Sequence, residues 1–235
     1  MLAEWEDPAH MAYFNMNYGW EFHHITNMIA KGEMNVENIE EYWKKLDTTY
    51  SRDDIRMYFT TNHDENSWNG TVFERYGDLQ ETVFALCMVF DRGMPLIYSG
   101  QENGLDHRLS FFGKDSINWA PKPEFQQFYA EMLKMKKDNP ALWNGNYGGN
   151  FEILYLDIEN NAIAFKRTKD SNEVVALYNL SDGDVSIPMD GLGFTQEEYH
   201  LHRNDGDVFI QMEQPKPSGE WEMPSGTYLI FTSGS

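Results

Sequence analysis

One cysteine in 235 residues, Cys87, rules out a disulfide within the chain. It lies in the apolar run Val83-Phe-Ala-Leu-Cys-Met-Val-Phe90, where a thiol packs as a small inert hydrophobe and leaves the redox compartment undecided. Basic residues are also scarce: 18 Lys and Arg face 38 Asp and Glu, a formal charge of −20. That balance argues against nucleic acid and anionic membrane surfaces as partners, and it suits a neutral substrate that needs no electrostatic steering. No apolar run approaches the roughly 20 residues of a membrane span. Internal repeats and low-complexity tracts are lacking too. No signal peptide is visible, but Met1-Leu-Ala-Glu4 reads as the middle of a strand, so the original N-terminus is expected upstream together with any leader. Localisation is therefore left open between a periplasmic or secreted protein and a cytoplasmic one.

What the chain has is aromatic residues (15%) and short apolar runs that end in polar groups. The run Arg56-Met-Tyr-Phe-Thr-Thr61 has the aromatic and β-branched character of a half-buried strand. It opens into Asn62, His63, Asp64, Glu65 and Asn66, with Trp68 beyond. Met1-Leu-Ala3 runs likewise into Glu4, Trp5, Glu6 and Asp7. Met11-Ala-Tyr-Phe14 runs into Asn15 and Asn17, and Gly93-Met-Pro-Leu-Ile-Tyr98 into Ser99, Gly100, Gln101 and Glu102. Strands that release carboxylates, amides and imidazole at their C-terminal tips are what a parallel α/β barrel presents at its active face.

Helical periodicity fills the gaps between these runs, as successive β/α units require. Helices are predicted over 18–30, ending at Gly32, over 35–46 with Asn35 or Asn38 as cap, over 79–90, and over 123–138, closing at Asn139-Pro140. Residues 104–119 read as a long irregular loop on the carboxylate face. After 142 the character changes. Gly145, Gly148 and Gly149 read as a flexible joint, followed by strands at 151–156, 162–167, 174–180, 185–187, 208–212 and 227–231. Turn signals separate them at Asn160-Asn161, Asp182-Gly183, Gly191 and Asn204-Asp-Gly206. The division is thus 1–142 as an α/β unit and 143–235 as a small antiparallel β-sandwich.

The motifs resemble a known family. Phe59-Thr-Thr-Asn-His-Asp64 is similar to the seventh-strand motif of the α-amylase family of glycoside hydrolases. Gly93-Met-Pro-Leu-Ile-Tyr-Ser-Gly-Gln-Glu102 resembles its eighth strand, and Met1-Leu-Ala-Glu4 its fifth. Phe111-Phe-Gly-Lys-Asp-Ser-Ile-Asn-Trp119 is similar to the segment that follows the eighth strand in bacterial members. The order is the family's own, and the likeness covers most of residues 1–142. It implies the C-terminal half of a (β/α)8 TIM barrel, strands five to eight, followed by the β-sandwich domain.

Breaking a glycosidic bond takes one carboxylic acid to protonate the leaving oxygen and a second carboxylate across the bond. The resemblance assigns Glu4 as the general acid/base, held protonated by partial burial, in preference to Glu6 and Asp7. It assigns Asp64 as the carboxylate that stabilises the transition state, and His63 as a hydrogen-bonding partner of the same sugar. Asn62, Trp5 and Trp68 complete the expected substrate-binding set. Glu65, Gln101 and Glu102 read as loop-fixing, and Arg75 and Arg108 as partners of the acidic face. The family's nucleophile, an Asp in a Gly-x-Arg-x-Asp-x-x-x-His strand, has no match in these 235 residues. The expectation is a retaining hydrolase of α-1,4-linked glucans that is inactive without a further N-terminal half-barrel, the chain's implied partner beside its α-glucan or maltooligosaccharide substrate. Alternatives are a transglycosylase or a sucrose- or trehalose-acting enzyme of the same family, a non-catalytic glucan-binding or assembly protein, or an inactive gene fragment. No cofactor is assigned to this chain, and calcium would belong to the N-terminal part. No metal site is expected from His10, His23, His24 or His107, and His200 and His202 read as a surface pair.

Overall fold

The computed structural model describes residues 1–205 and 208–234. Its first half is a four-stranded parallel sheet in sequential order: β1 (Leu2–Ala3), β2 (Met16–Tyr18), β3 (Ile55–Tyr58) and β4 (Gly93–Pro95). Helices α1 (Trp20–Ala30) and α2 (Val36–Thr49) join β2 to β3. α3 (Val72–Tyr76) and α4 (Gln80–Val89) join β3 to β4, and α5 (Pro123–Asp138) follows the long loop. Asn35 caps α2 in a reciprocal box with Asn38, and Thr71 does the same for α3 with Glu74. Gly32, just past the end of α1, sits at φ 72°, a left-handed position that a side chain would strain.

The strands are shorter than the apolar runs that mark them. Residues 8–12 form a 3-10 turn whose cap is Asp7, so β2 begins only at Met16 and Phe14 lies outside it. β3 stops at Tyr58, and Phe59 to Asn62 continue buried but outside the ladder.

The second half is antiparallel. A six-stranded sheet runs in the order β10-β9-β12-β7-β6-β5. Its members are β5 (Asn150–Asp157), β6 (Ala162–Lys169), β7 (Asn172–Asn179), β9 (Glu198–Asp205), β10 (Val208–Pro215) and β12 (Tyr228–Ser233). A two-stranded ribbon, β8 (Val185–Pro188) with β11 (Glu220–Met223), covers one face of it. Val185, Ile187 and Met223 from the ribbon pack there with Ala162, Ala164, Val175, Leu177 and Phe231 from the sheet. Strands β9 and β11 are absent from the sequence reading. The expected turn at Asn204-Asp205-Gly206 runs into residues 206 and 207, which lie outside the described residues.

The alternate face of the same sheet belongs to the other half's core. Ile163, Phe165, Ala176, Tyr178 and Ile230 share one apolar cluster with Phe84, Leu86, Phe90 and Phe128. Phe165 meets Phe90 with ring centroids 5.8 Å apart, and the Tyr178 hydroxyl donates to the Ala85 carbonyl at 3.1 Å. The glycines between the halves are packed rather than loose, a correction to the flexible joint. A Cβ on Gly148 would sit 1.8 Å from the Trp143 carbonyl oxygen, and one on Gly149 2.6 Å from that of Thr168. Only glycine permits so close a backbone approach.

His202 is a second correction. It is buried, not a surface partner of the exposed His200. Its Nε2 lies 3.1 Å from Thr232 Oγ1, and Nδ1 has no hydrogen-bond partner among the described residues. Burial, helped by His200 and Lys134, pushes its pKa down to about 4. Cys87 is buried as expected, and burial raises its thiol above the ordinary range. Among the described residues no helix is long and apolar enough to cross a membrane.

Two outcomes follow. Phe165→Ala should cost about 3–5 kcal/mol and move a single unfolding transition in urea, because its core is shared by both halves. Two separate transitions would show that the halves melt independently. For His202 the unfolded state binds a proton from about pH 6.5 downward, whereas the folded state resists until about pH 4. Stability should therefore fall by about 3 kcal/mol from this group between those limits. His202→Gln should flatten that part of the stability–pH curve, and an unchanged curve would remove His202 as its cause.

Candidate active site

Three acids follow β1, and the structure gives them separate tasks. Glu6 turns inward to Arg56, whose guanidinium is fully buried on β3. Its second oxygen accepts the Glu21 amide at 2.6 Å, at the N-terminus of α1, where a helix dipole favours negative charge. Burial raises the Glu6 carboxyl against the opposing pull of Arg56. Asp7 accepts the Ala9 amide at 2.9 Å and starts the 3-10 turn. Glu4 alone of the three turns outward. The Trp20 indole holds its backbone by donating to the Glu4 carbonyl at 2.9 Å.

Opposite Glu4, the segment beyond β3 brings up His63 and Asp64. His63 Nε2 lies 3.3 Å from Glu4 Oε1 and 3.7 Å from Asp64 Oδ1. One ligand atom from each of the three lies within 4.8 Å of the others. All three are open to solvent, with side chains 59% (Glu4), 47% (His63) and 38% (Asp64) exposed, so the expected partial burial of Glu4 is not met. An imidazole among two carboxylates is unlike the all-oxygen sets that calcium takes.

The backbone that carries His63 and Asp64 is held from beneath by a buried polar network. The His23 ring, stacked on Phe59 at 4.4 Å, reaches the Phe59 carbonyl through Nδ1 at 2.9 Å. Its Nε2 meets Glu65 at 3.1 Å. Arg75 donates to the Thr60 carbonyl at 2.5 Å and lies 3.7 Å from Glu65. Burial lowers the His23 pKa against the opposing pull of Glu65. For Glu65 burial works upward, but His23, Arg75 and Asn69 together hold the carboxyl below its ordinary value. Gln101 donates to Thr60 Oγ1 at 2.7 Å, and Glu102 accepts the Gly100 amide at 3.0 Å. Glu65, Gln101 and Glu102 are thus loop-fixing groups, as the sequence implies.

The expected substrate residues divide. Trp5 and Trp68 are exposed. Asn62 is buried and accepts the Glu65 amide at 2.8 Å, capping the π-helical turn 65–69; it does not open onto the face, a correction to its expected role. Two aromatics beyond that set stand on the face, Phe111 and Phe112. Phe111 stacks 5.9 Å from His63 and 5.2 Å from Trp68. Their signal was present in the adjacent Phe-Phe pair of the loop, but their ring neighbours His63 and Trp68 lie more than forty residues away. Arg108 meets Glu74 in a two-pronged pair at 2.7 and 3.0 Å, beside this loop.

No protein-family model matches the chain. By sequence it is 22% identical over 185 residues to a β/α-amylase of Paenibacillus polymyxa, which covers 74% of this chain and 15% of that protein. By structure it is similar to a noncanonic maltogenic α-amylase of Thermotoga neapolitana, with a TM-score of 0.76 at 16% identity over 99% of this chain and 54% of that one. It is also similar to an α-amylase of Geobacillus thermoleovorans complexed with acarbose, with a TM-score of 0.71 at 15% identity over 98% of this chain and 52% of that one. The chain spans about half the length of these solved structures and a smaller share of the curated relative. Its fold is similar to that of these α-amylases, and its sequence likeness is to an amylase as well.

Proposed function

We propose that this chain supplies the acid/base and transition-state-stabilising side of a retaining α-1,4-glucan hydrolase. The observation that carries the reading is the convergence of Glu4, His63 and Asp64, from the ends of two parallel strands, to within 4.8 Å at one face. Glu4 would protonate the glycosidic oxygen as the bond to the anomeric carbon breaks, then take a proton from the water that completes hydrolysis. Asp64 would offset the positive charge that develops on the sugar ring. His63, between the two, would donate to a hydroxyl of the same sugar. That the similar Geobacillus enzyme is complexed with acarbose supports a glucan-like ligand for this chain.

The carboxylate that attacks the anomeric carbon has no candidate motif in these 235 residues, so the reading places it on a further N-terminal half-barrel. The sheet is consistent with that arrangement. Among the described residues, β1 pairs with β2 alone and β4 with β3 alone, and unpaired parallel edges invite a further strand. On this reading β1 to β4 are strands five to eight of a (β/α)8 barrel, with 1–142 as the partial barrel and 143–235 as its β-sandwich.

The test is calorimetric titration of the 235-residue chain with acarbose, alongside an assay of maltooligosaccharide hydrolysis. Binding without turnover is expected, and Glu4→Gln and Asp64→Asn should each weaken binding about tenfold or more, the worth of a hydrogen bond to a charged group. Joined to a segment that carries the missing nucleophile, the chain should turn over, and Glu4→Gln should then lower kcat about 10²–10⁴-fold. Sustained turnover by the 235 residues alone would overturn the external nucleophile, and no acarbose binding by the folded chain would overturn the glucan reading. Glu6→Ala should instead cost about 3–5 kcal/mol of stability, because it strips a buried guanidinium of its carboxylate. Urea denaturation reads that loss, and unchanged stability would show that Arg56 does not depend on Glu6.

A further inference from the structure

The side chains that converge beyond β1 and β3 have few partners besides one another. Among the described residues the Glu4 and Asp64 carboxylates meet no lysine or arginine, and His63 is the ion-pair partner of both. With its ring proton on Nδ1, His63 turns an Nε2 lone pair toward the two carboxylates, at 3.3 and 3.7 Å. Their negative charge is felt nearby. Burial first, then Glu4 and Asp64, raise the Tyr18 phenol above its ordinary value. An imidazole nitrogen and two carboxylates facing one point make a ligand set for a cation, and a chain of charge −20 concentrates cations around it.

The spacing and the donors select the ion. Zinc bonds nitrogen and oxygen at about 2.0–2.2 Å in a tetrahedron, whose edges are then about 3.3–3.6 Å long. Two edges here stand at or just beyond that length, and one ligand atom from each residue lies within 4.8 Å of the others. Closing the third edge takes a rotation of an exposed carboxylate. Calcium and magnesium take oxygen ligands in larger numbers, whereas an imidazole suits zinc. Three protein ligands leave a fourth position to water, as in an exchangeable site rather than a closed structural one. The backbone is set in advance. Trp20 holds the Glu4 carbonyl, and His23 and Arg75 hold those of Phe59 and Thr60. Phe111 stacks 5.9 Å from the His63 ring. Its loop is folded back by the buried Asn66 side chain, which donates to the His107 carbonyl at 3.1 Å and accepts the Leu109 amide at 2.8 Å.

We propose that Glu4, His63 and Asp64 form a zinc site, and that zinc and a sugar exclude each other at this face. The ion takes the Glu4 lone pair that would carry the acid's proton. It also neutralises the Asp64 charge that would face the sugar ring, so it silences the site and leaves the fold alone. The exclusion rests on the glucan reading of these residues, while the metal site stands on their geometry.

The experiment titrates the 235-residue chain with zinc chloride by calorimetry, then with acarbose in the absence and presence of zinc. A single zinc ion should bind, and calcium or magnesium at the same concentration should not displace it. Glu4→Gln and His63→Gln should each weaken zinc at least about tenfold, since losing even a group that only supports a metal ligand costs that much. His200→Gln, at an exposed histidine of the antiparallel half, should leave zinc binding unchanged. The substituted ligands are exposed, so the variants keep the fold, which circular dichroism checks. With zinc at about ten times its own dissociation constant, acarbose affinity should fall about tenfold. No zinc binding, or zinc binding that His63→Gln leaves unchanged, would overturn the metal site, and acarbose binding alone would still decide the glucan reading. Zinc binding with acarbose affinity unaltered would overturn the exclusion. Zinc binding with no acarbose binding would support the metal site and overturn the glucan reading.

Discussion

A fully buried guanidinium, Arg56, dictates where the acid of this site stands. A charge removed from water costs several kcal/mol unless it is paired and its donors are satisfied. Arg56 reaches Asn17 and Glu6, donates to the Tyr18 carbonyl at 3.2 Å, and lies 4.2 Å from the centre of the Tyr50 ring. Those partners come from β2, from the segment after β1 and from the approach to β3, so one charge ties three parallel strands together. Glu6 is two residues past Glu4. With Glu6 drawn inward to Arg56 and onto the start of α1, the chain between them must turn, and Glu4 is left facing outward. The position of the proposed catalytic acid is thus a consequence of a structural ion pair beneath it.

The same logic repeats one strand along. His63 and Asp64 stand on a segment that has left the sheet and has lost its ladder hydrogen bonds. The backbone there needs other partners, which His23 and Arg75 supply from α1 and α3, while Gln101 from the loop after β4 holds the Thr60 side chain. The carbonyls of Phe59 and Thr60 and the hydroxyl of Thr60 are all engaged. Glu65 balances the two cationic or potentially cationic groups nearby, at 3.1 Å from His23 and 3.7 Å from Arg75. A site meant to hold charged groups exposed above a strand end needs such a foundation, since the exposed residues make few contacts of their own.

Much of this was legible in the sequence because it is local. An aromatic and β-branched run that breaks into His and Asp announces a strand and its tip within a dozen residues, and Glu4 is announced in the same way. The helices could be read because their caps and periods are local too. What escaped the sequence is set by partners far along the chain. Nothing near Asn62 shows that it caps the turn below the surface, or near His202 that it faces the core. The resemblance favours Glu4 over Glu6, but what draws Glu6 inward is Arg56, fifty residues away. Strand β11 is four residues long and β9 carries six polar residues among its eight, so neither shows the apolar alternation that announces a strand. The Phe111–Phe112 pair was visible, but its place beside His63 depends on Asn66 folding the loop back.

The β-rich half bears on the site through helix α4 rather than through any residue on the face. The last carbonyls of a helix have no partners within it, and those of α4 are buried. Arg167, on β6, donates to the Val89 and Phe90 carbonyls at 3.2 and 3.3 Å and to Trp143 at 3.0 Å. Lys136 donates to Met88 at 3.3 Å and to Leu142 at 2.7 Å. Arg167 and Lys136 therefore close the C-terminus of α4, where the helix dipole favours positive charge. Their burial is expensive: it pushes Arg167 down to about 10 and Lys136 to about 7. α4 leads into β4, and β4 pairs with β3, the strand that carries His63 and Asp64 beyond its end. The antiparallel sheet thus braces the outer strand of the parallel one, and the packed glycines at the junction keep that brace from swinging away.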